Sequence, residues 1–381
     1  MRSRKPLGTV QNAANLHIMA EPRKISFIED ESLLGVDFGY DRGPYDPEPV
    51  DEADLWFMPP EDHDTQDAAH DLPLPRADHR PLVDVAAWAD AERELAGALT
   101  DLGILLGRLA ERLQSGPQGW RHRLALREAS DLSWLAGDRV PMERLALWLT
   151  LRLGCEGNDA QALARAGWAA RRLVQAPAPK DDLAGFLGRV AADAQDDLAD
   201  QIADWADVMG QGASLHPITQ AALSYHIWPI VGLSAGHPSL PMIEAAIVAA
   251  RHAGTAIGGL GFLPLCIGGA GGLRGRGSAA ERLAAWIGGA DQAARAALRQ
   301  LDDLRDWESR ARDATAALSG RTPPALVTLM REWPVVSAPM AEAETGASRA
   351  AVQRNLNWMT EAGLIREVTG QGRYRFWAAA V

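Results

Sequence analysis

From about residue 81 onward, apolar positions recur with the period of an amphipathic helix. Val85, Trp88 and Ala89, then Leu95, Leu99, Leu102, Leu105, Leu106, Leu109 and Leu113, keep that spacing until Gly116-Pro117 ends the run. The same periodicity predicts helices over 120–134, 142–153, 160–174, 182–209, 218–228, 238–253, 279–287 and 291–318. Gly- and Pro-rich stretches at 154–157, 177–179, 210–212, 232–236 and 254–277 separate them. Trp134, Trp148, Trp168 and Trp286 fall at apolar positions of these helices, which assigns them to core packing rather than to a base-stacking platform. The expected class is mostly α.

After Pro323 the pattern changes. An apolar-periodic run through Leu326, Val327, Leu329 and Met330 stops at Trp333-Pro334. Ser337 is placed to cap a short helix over 338–344, and Thr345-Gly346-Ala347 forms a turn. Ser348 caps a further helix reaching about Ala362, and Gly363 sits where a helix C-cap wants positive φ. Leu364 to Val368 and Tyr374 to Trp377 read as strands joined by the turn Thr369-Gly370-Gln371-Gly372. Helix, helix, turn, helix, hairpin is the order of a winged helix-turn-helix. In its third helix Val352, Leu356 and Met359 form a buried stripe, which turns Ser348, Arg349, Gln353, Arg354 and Asn357 outward. Such side chains reach base edges or phosphates when the helix enters a major groove. In the wing, Gln371 lies at the tip, and Arg373 and Arg375 alternate with Tyr374 and Phe376, so both guanidinium groups share a face suited to phosphate. The competing assignment for this segment is a protein-docking module with solvated arginines. Glu342, Glu344, Glu361 and Glu367 nearly cancel the arginines, so DNA binding is expected to be modest per subunit, salt-sensitive and dimeric.

Charge and composition narrow the rest. The chain of 381 residues has a formal net charge of −12, so nucleic-acid binding must come from a local module rather than a basic coat. Cys155 and Cys266 make neither a CxxC nor a disulfide framework, which fits a reducing cytoplasm. No secretory signal comes after the basic Met1-Arg2-Ser3-Arg4-Lys5, and no apolar run is long enough to span a bilayer. Residues 1–80 mix prolines such as Pro44, Pro47 and Pro49 with Asp46, Glu48, Asp51 and Glu52. A disordered acidic arm is expected there, with the island Leu55-Trp56-Phe57-Met58 as its apolar exception.

Three motifs invite an enzymatic assignment. Gly232-Leu233-Ser234-Ala235-Gly236 matches a GxSxG nucleophile elbow, but no Asp lies between Ser234 and His252, and the strands of a hydrolase sheet are missing. The glycines of 254–277 supply neither GxGxxG nor GK[ST], so a flexible loop is expected, with Arg274 and Arg276 as its only candidates for holding an anion. His216, His226, His237 and His252 lack the spacing of a zinc site, and satisfied or surface histidines are expected instead.

In order, these segments resemble Fic-domain proteins that carry a C-terminal winged helix. Arg127 to Gly137 resembles the stretch that ends in that family's inhibitory motif. Ala221 to His226, through His237-Pro238, resembles the approach to the family signature, and Gly261 to Leu265 resembles the segment just after that signature. The likeness of residues 85–381 is closer to an alphaproteobacterial family, often plasmid-borne, that joins a domain of unknown function to a helix-turn-helix. The Fic signature is HPFxxGNGRxxR, and only His237 and Pro238 match before Ser239-Leu240-Pro241-Met242 departs from it. The phosphate-holding turn and both arginines are gone, and Ala136 replaces the inhibitory glutamate. The resemblance therefore implies a helical domain without catalytic activity and without a cofactor, used for dimerisation or effector sensing.

The expected organisation is an arm over 1–80, a degenerate Fic-like helical domain over 81–320 and a winged helix-turn-helix over 321–381. Its expected role is a cytoplasmic, homodimeric transcriptional regulator that binds double-stranded DNA, with an effector of unspecified chemistry. Two alternatives stand beside it: a divergent nucleotidyl or phosphoryl transferase using His237 with Arg274 and Arg276, and a protein-interaction scaffold.

Overall fold

The computed structural model describes residues 83–151, 157–175, 177–189, 196–234, 240–370 and 375–381. The chain divides into two units, Met1–Ala77 and Asp78–Val381, and only the second is described. The acidic arm expected over 1–80 lies outside the described residues.

The body begins with α1 (Val85–Glu94), whose N-terminus is capped by the Asp84 carboxylate accepting from the Ala87 amide. It is followed by α2 (Ala96–Ser115), α3 (Gly119–Leu135), α4 (Met142–Leu151), α5 (Gly157–Val174), α6 (Leu183–Leu187) and α7 (Asp196–Gln211). Then come α8 (Pro217–Val231), α9 (Leu240–Ala256), a 3₁₀ turn over Gly271–Arg274 and α10 (Ala279–Thr315). The leucine stripe of α2 is buried as its spacing predicts, from Leu99 through Leu102, Leu106 and Leu109 to Leu113. Helix α8 buries Ile218, Leu223, Ile227 and Trp228, and α8 and α9 pack against each other inside the body. None of the helices among the described residues is long and apolar enough to cross a membrane.

Four expectations are corrected. The single helix over 182–209 is interrupted, because Gly188 takes φ 77° and ends α6 after five residues. The two helices expected over 279–287 and 291–318 are one helix of 37 residues. Its Gly288-Gly289 pair does not break it. A Cβ on Gly289 would lie 2.5 Å from Gly272 Cα, so glycine there lets the 3₁₀ turn rest directly on the helix.

The middle of the glycine-rich run over 254–277, residues 262–267, is packed rather than a flexible loop. Leu263, Leu265, Cys266 and Ile267 are buried, and the amides of Leu265, Cys266 and Ile267 donate to the Glu128 carboxylate at 2.9–3.1 Å. A buried carboxylate holding three consecutive amides fixes a backbone that sequence composition alone reads as loose. Trp134, finally, is 53% exposed on the surface, with the Arg139 guanidinium 6.0 Å from its ring, rather than in the core.

The C-terminal part runs α11 (Thr322–Glu332), β1 (Val336–Ser337), α12 (Ala338–Thr345), α13 (Arg349–Glu361), β2 (Ile365–Glu367) and β3 (Phe376–Ala379). The three strands form an antiparallel sheet in the order β1-β3-β2, with Trp377 of β3 facing Val336 on one side and Glu367 on the other. Strand β1 has no counterpart among the sequence expectations, since two residues carry no periodicity. The core of this part gathers Leu326, Met330, Val336, Val352, Leu356 and Trp377. It also takes Trp307 and Ala311 from α10, and the Trp307 indole donates to the Leu364 carbonyl at 2.7 Å. The core therefore starts upstream of residue 321, within the last turns of the long helix.

Candidate nucleic-acid interface

Local chemistry sets the two helices that matter here. The Ser337 hydroxyl accepts from the Met340 amide and starts α12, and Gly346 at φ 64° ends it. The Ser348 hydroxyl then accepts from the Ala351 amide and starts α13. Val352, Leu356 and Met359 are fully buried, which fixes the rotation of α13 about its axis.

The opposite face carries the residues singled out from the sequence. Ser348, Arg349, Arg354 and Asn357 are exposed, and Gln353 is half-buried. The Arg349 side chain is 85% exposed, with Nε 3.9 Å from a Glu342 carboxylate oxygen. Arg354 has no hydrogen-bond or ion-pair partner among the described residues. The Gln353 amide donates to the Asn357 side-chain oxygen at 2.9 Å, so these two present a linked pair of amides one turn apart. The Ser348 hydroxyl accepts one bond, from the Ala351 amide at 3.4 Å, as the cap. The polar face of α13 is thus brought together in one row and stays open.

Of the three hairpin residues singled out from the sequence, Arg375 is described. Gln371 and Arg373 lie outside the described residues. Arg375 is not a free cation. Its Nε and Nη2 bind the Glu367 carboxylate at 2.7 and 2.6 Å, and its guanidinium lies 4.9 Å from the Trp377 ring. The cross-strand partner cancels its charge before any phosphate arrives.

The domain meets the body through the far end of α11. Arg123 of α3 is buried, and its Nη2 donates to the carbonyls of Met330 at 2.9 Å and Arg331 at 3.4 Å, and also to that of Trp333. Burial lowers its pKa to about 10, so the guanidinium stays charged at neutral pH and suits the negative end of a helix. Gly119 donates to Glu332, and Arg366 pairs with Glu143 at 2.6 Å. Val335 and Phe376 join the apolar core of the body. Sequence reasoning missed this junction, although an arginine directly before the apolar run Leu124-Ala125-Leu126 in α3 was its one visible sign.

The motifs that suggested chemistry are accounted for structurally. Ser234 accepts from the Trp228 indole at 2.8 Å and donates to Glu244, which Arg189 holds at 2.7 Å. This hydroxyl belongs to a partly buried network and has no histidine partner among the described residues. His216 accepts from the Ile218 amide at the start of α8, and His252 Nε2 lies 2.8 Å from Gln220 Oε1. Burial lowers the pKa of His226 and of His252 to about 4. His237 lies outside the described residues. Arg274 and Arg276 are exposed, and no group of His, Cys, Asp and Glu among the described residues is placed to hold a metal ion.

No curated protein matches the chain. A known family does match the segment just described: residues 323–379 fit the model of an HTH DNA binding domain, so the open row on α13 belongs to a helix-turn-helix of DNA-binding type.

Proposed function

We propose that the protein is a cytoplasmic transcriptional regulator that places α13 in the major groove of double-stranded DNA. Arg349, Gln353, Arg354 and Asn357 read base edges or phosphates, and Arg373 contacts the backbone. Ser348 orients the first turn of α13 toward a phosphate, and Gln371 extends the hairpin contact. The observation that carries the assignment is the exposed polar face of α13, set opposite a stripe that is fully buried. The domain is anchored through α11, Val335 and Phe376, which leaves that face free of the body.

The helical body is, in this proposal, a degenerate Fic-like scaffold without catalytic activity. It pairs two chains so that two helix-turn-helix domains meet successive half-sites, and it senses an effector. Support comes from the segment after the histidine-proline pair, where Glu244 is engaged by Arg189 and Ser234 rather than open to a metal-bound nucleotide. The test is capture of genomic DNA fragments by the full chain, beside an Arg349→Ala/Arg354→Ala variant. Discrete enriched sites are expected for the first and loss of enrichment for the second. Equal recovery with both would refute the assignment of α13.

A further inference from the structure

A charged cleft lies where the body meets the C-terminal domain. Its volume is about 320 Å³, and among its walls are Arg112 and Ser115 of α2, Trp120 of α3, Arg305 of α10 and Arg331 of α11. Three guanidinium groups from three separate helices converge on it. Arg112 shares its charge with Asp302 at 2.6 Å, and Arg331 with Glu308 at 2.6 Å. Glu308 is divided, because Arg312 binds it as well at 2.7 Å. Arg305 is exposed and has no ion-pair or hydrogen-bond partner among the described residues. Three arginines thus line the cleft against two carboxylates, Asp302 and Glu308, and Arg312 draws on the second of these from outside it.

Two of the lining residues also carry buried hydrogen-bond donors with no partner among the described residues. Trp120 is 2% exposed, yet among the described residues its indole Nε1 has no acceptor, and neither has the buried Nε of Arg331. The Arg331 guanidinium lies 5.9 Å from the Trp120 ring. Buried donors without acceptors are costly, and an excess of positive charge beside them favours an anion rather than water alone. Guanidinium forks arriving from different helices suit a polyanion with several oxygens, and the volume suits a small solute rather than a peptide.

We propose that this cleft binds a small phosphate-bearing solute and that its occupancy sets the DNA affinity of the C-terminal domain. Arg331 stands in the last turn of α11, whose carbonyls Arg123 already holds. An anion bridging Arg112, Arg305 and Arg331 ties α2 and α10 to α11, and so to the core on which α13 rests. Coupling of this kind is reciprocal: DNA and the anion change each other's affinity by one factor.

The regulatory half rests on the DNA-binding proposal, whereas anion binding does not. The full chain is titrated with inorganic pyrophosphate at constant ionic strength, by calorimetry and by thermal melting. Saturable heat and a raised Tm are expected, with at least about tenfold weaker binding in Arg305→Ala. Arg354→Ala is expected to bind pyrophosphate like the wild type. Pyrophosphate is then expected to shift the duplex titration of the wild type by about fivefold or more and to leave that of Arg305→Ala unmoved. A response no greater than that to chloride, or unchanged affinity in Arg305→Ala, would overturn the site. Displacement of pyrophosphate from Arg354→Ala by random duplex would overturn the small-solute assignment in favour of a DNA-backbone contact. Absence of any duplex binding would remove the DNA-binding proposal and the regulatory half, while the calorimetric arm still decides whether the cleft takes the anion.

Discussion

Arg123 donates to the Met330 carbonyl at 2.9 Å, so the helical body itself finishes the first helix of the DNA-binding domain. The last carbonyls of a helix have no partner within it, and here one guanidinium serves two of them, Met330 and Arg331, and the carbonyl of the cap residue Trp333. Replacing Arg123 with Met keeps most of the volume and leaves those carbonyls short of donors. The expected loss is about 2–4 kcal/mol of unfolding free energy, as for a buried charge-assisted network. Urea unfolding followed by tryptophan fluorescence measures it. A change within about 0.5 kcal/mol would show that water replaces the guanidinium without cost.

Glycines 288 and 289 are neighbours with opposite demands. A Cβ on Gly288 meets nothing within 4 Å, whereas one on Gly289 meets Gly272 Cα at 2.5 Å. Gly288→Ala is expected to stabilise the protein by about 0.5–1 kcal/mol, because alanine is the better helix former. Gly289→Ala is expected to destabilise by about 1–3 kcal/mol, since the 3₁₀ turn must move away. Thermal melting of both variants checks the pair, and equal shifts would contradict the close approach.

This glycine pair also marks how far the sequence could be read. Periodicity locates the leucines of α2 and the stripe Val352, Leu356, Met359, because solvent-to-core alternation is written residue by residue. The caps Ser337, Ser348 and Gly363 are equally local. Gly289 cannot be read that way: its reason is Gly272, which is distant in the chain and close in space. The same holds for Glu128, which orders a glycine-rich segment from another helix, and for Glu367, which neutralises Arg375 from the neighbouring strand. Of the interface, the exposed row of α13 was legible. Its anchoring through Arg123 and the cleft around Arg305 were not, because each is assembled from separate helices.

Glu128 makes stability depend on pH. Burial pushes its carboxyl up to about 7, against the three amides that favour the charged form. A carboxyl with folded pKa above its unfolded value binds more protons in the folded state. Its contribution is complete below about pH 4.5 and fades as pH rises through about 7. His226 and His252 work in the opposite sense. Their folded values near 4 lie below the free value of 6.5, so their contribution is present above pH 6.5 and lost as pH falls toward 4. The difference in unfolding free energy between wild type and Glu128→Gln isolates the carboxyl. That difference is expected to move against the wild type by about 2–3 kcal/mol between pH 5 and pH 8, as linkage gives for a shift of this size. A flat difference would mean that Glu128 keeps one protonation state throughout.

Arg375 offers the sharpest check on how charge is deployed at the hairpin. In the free protein its guanidinium is held by Glu367 at 2.6–2.7 Å and covers Trp377. A phosphate must compete with that carboxylate, so Arg375→Ala alone is expected to weaken duplex binding little. Glu367→Gln keeps the shape of the side chain, removes the competing charge and leaves Arg375 beside the same ring. Duplex affinity is then expected to rise about three- to tenfold at low salt, with the salt slope steeper by about one unit, as for one additional phosphate contact. Titrations at several salt concentrations measure both. Equal slopes for wild type and Glu367→Gln would place Arg375 outside the DNA footprint and leave the polar face of α13 to carry binding without it.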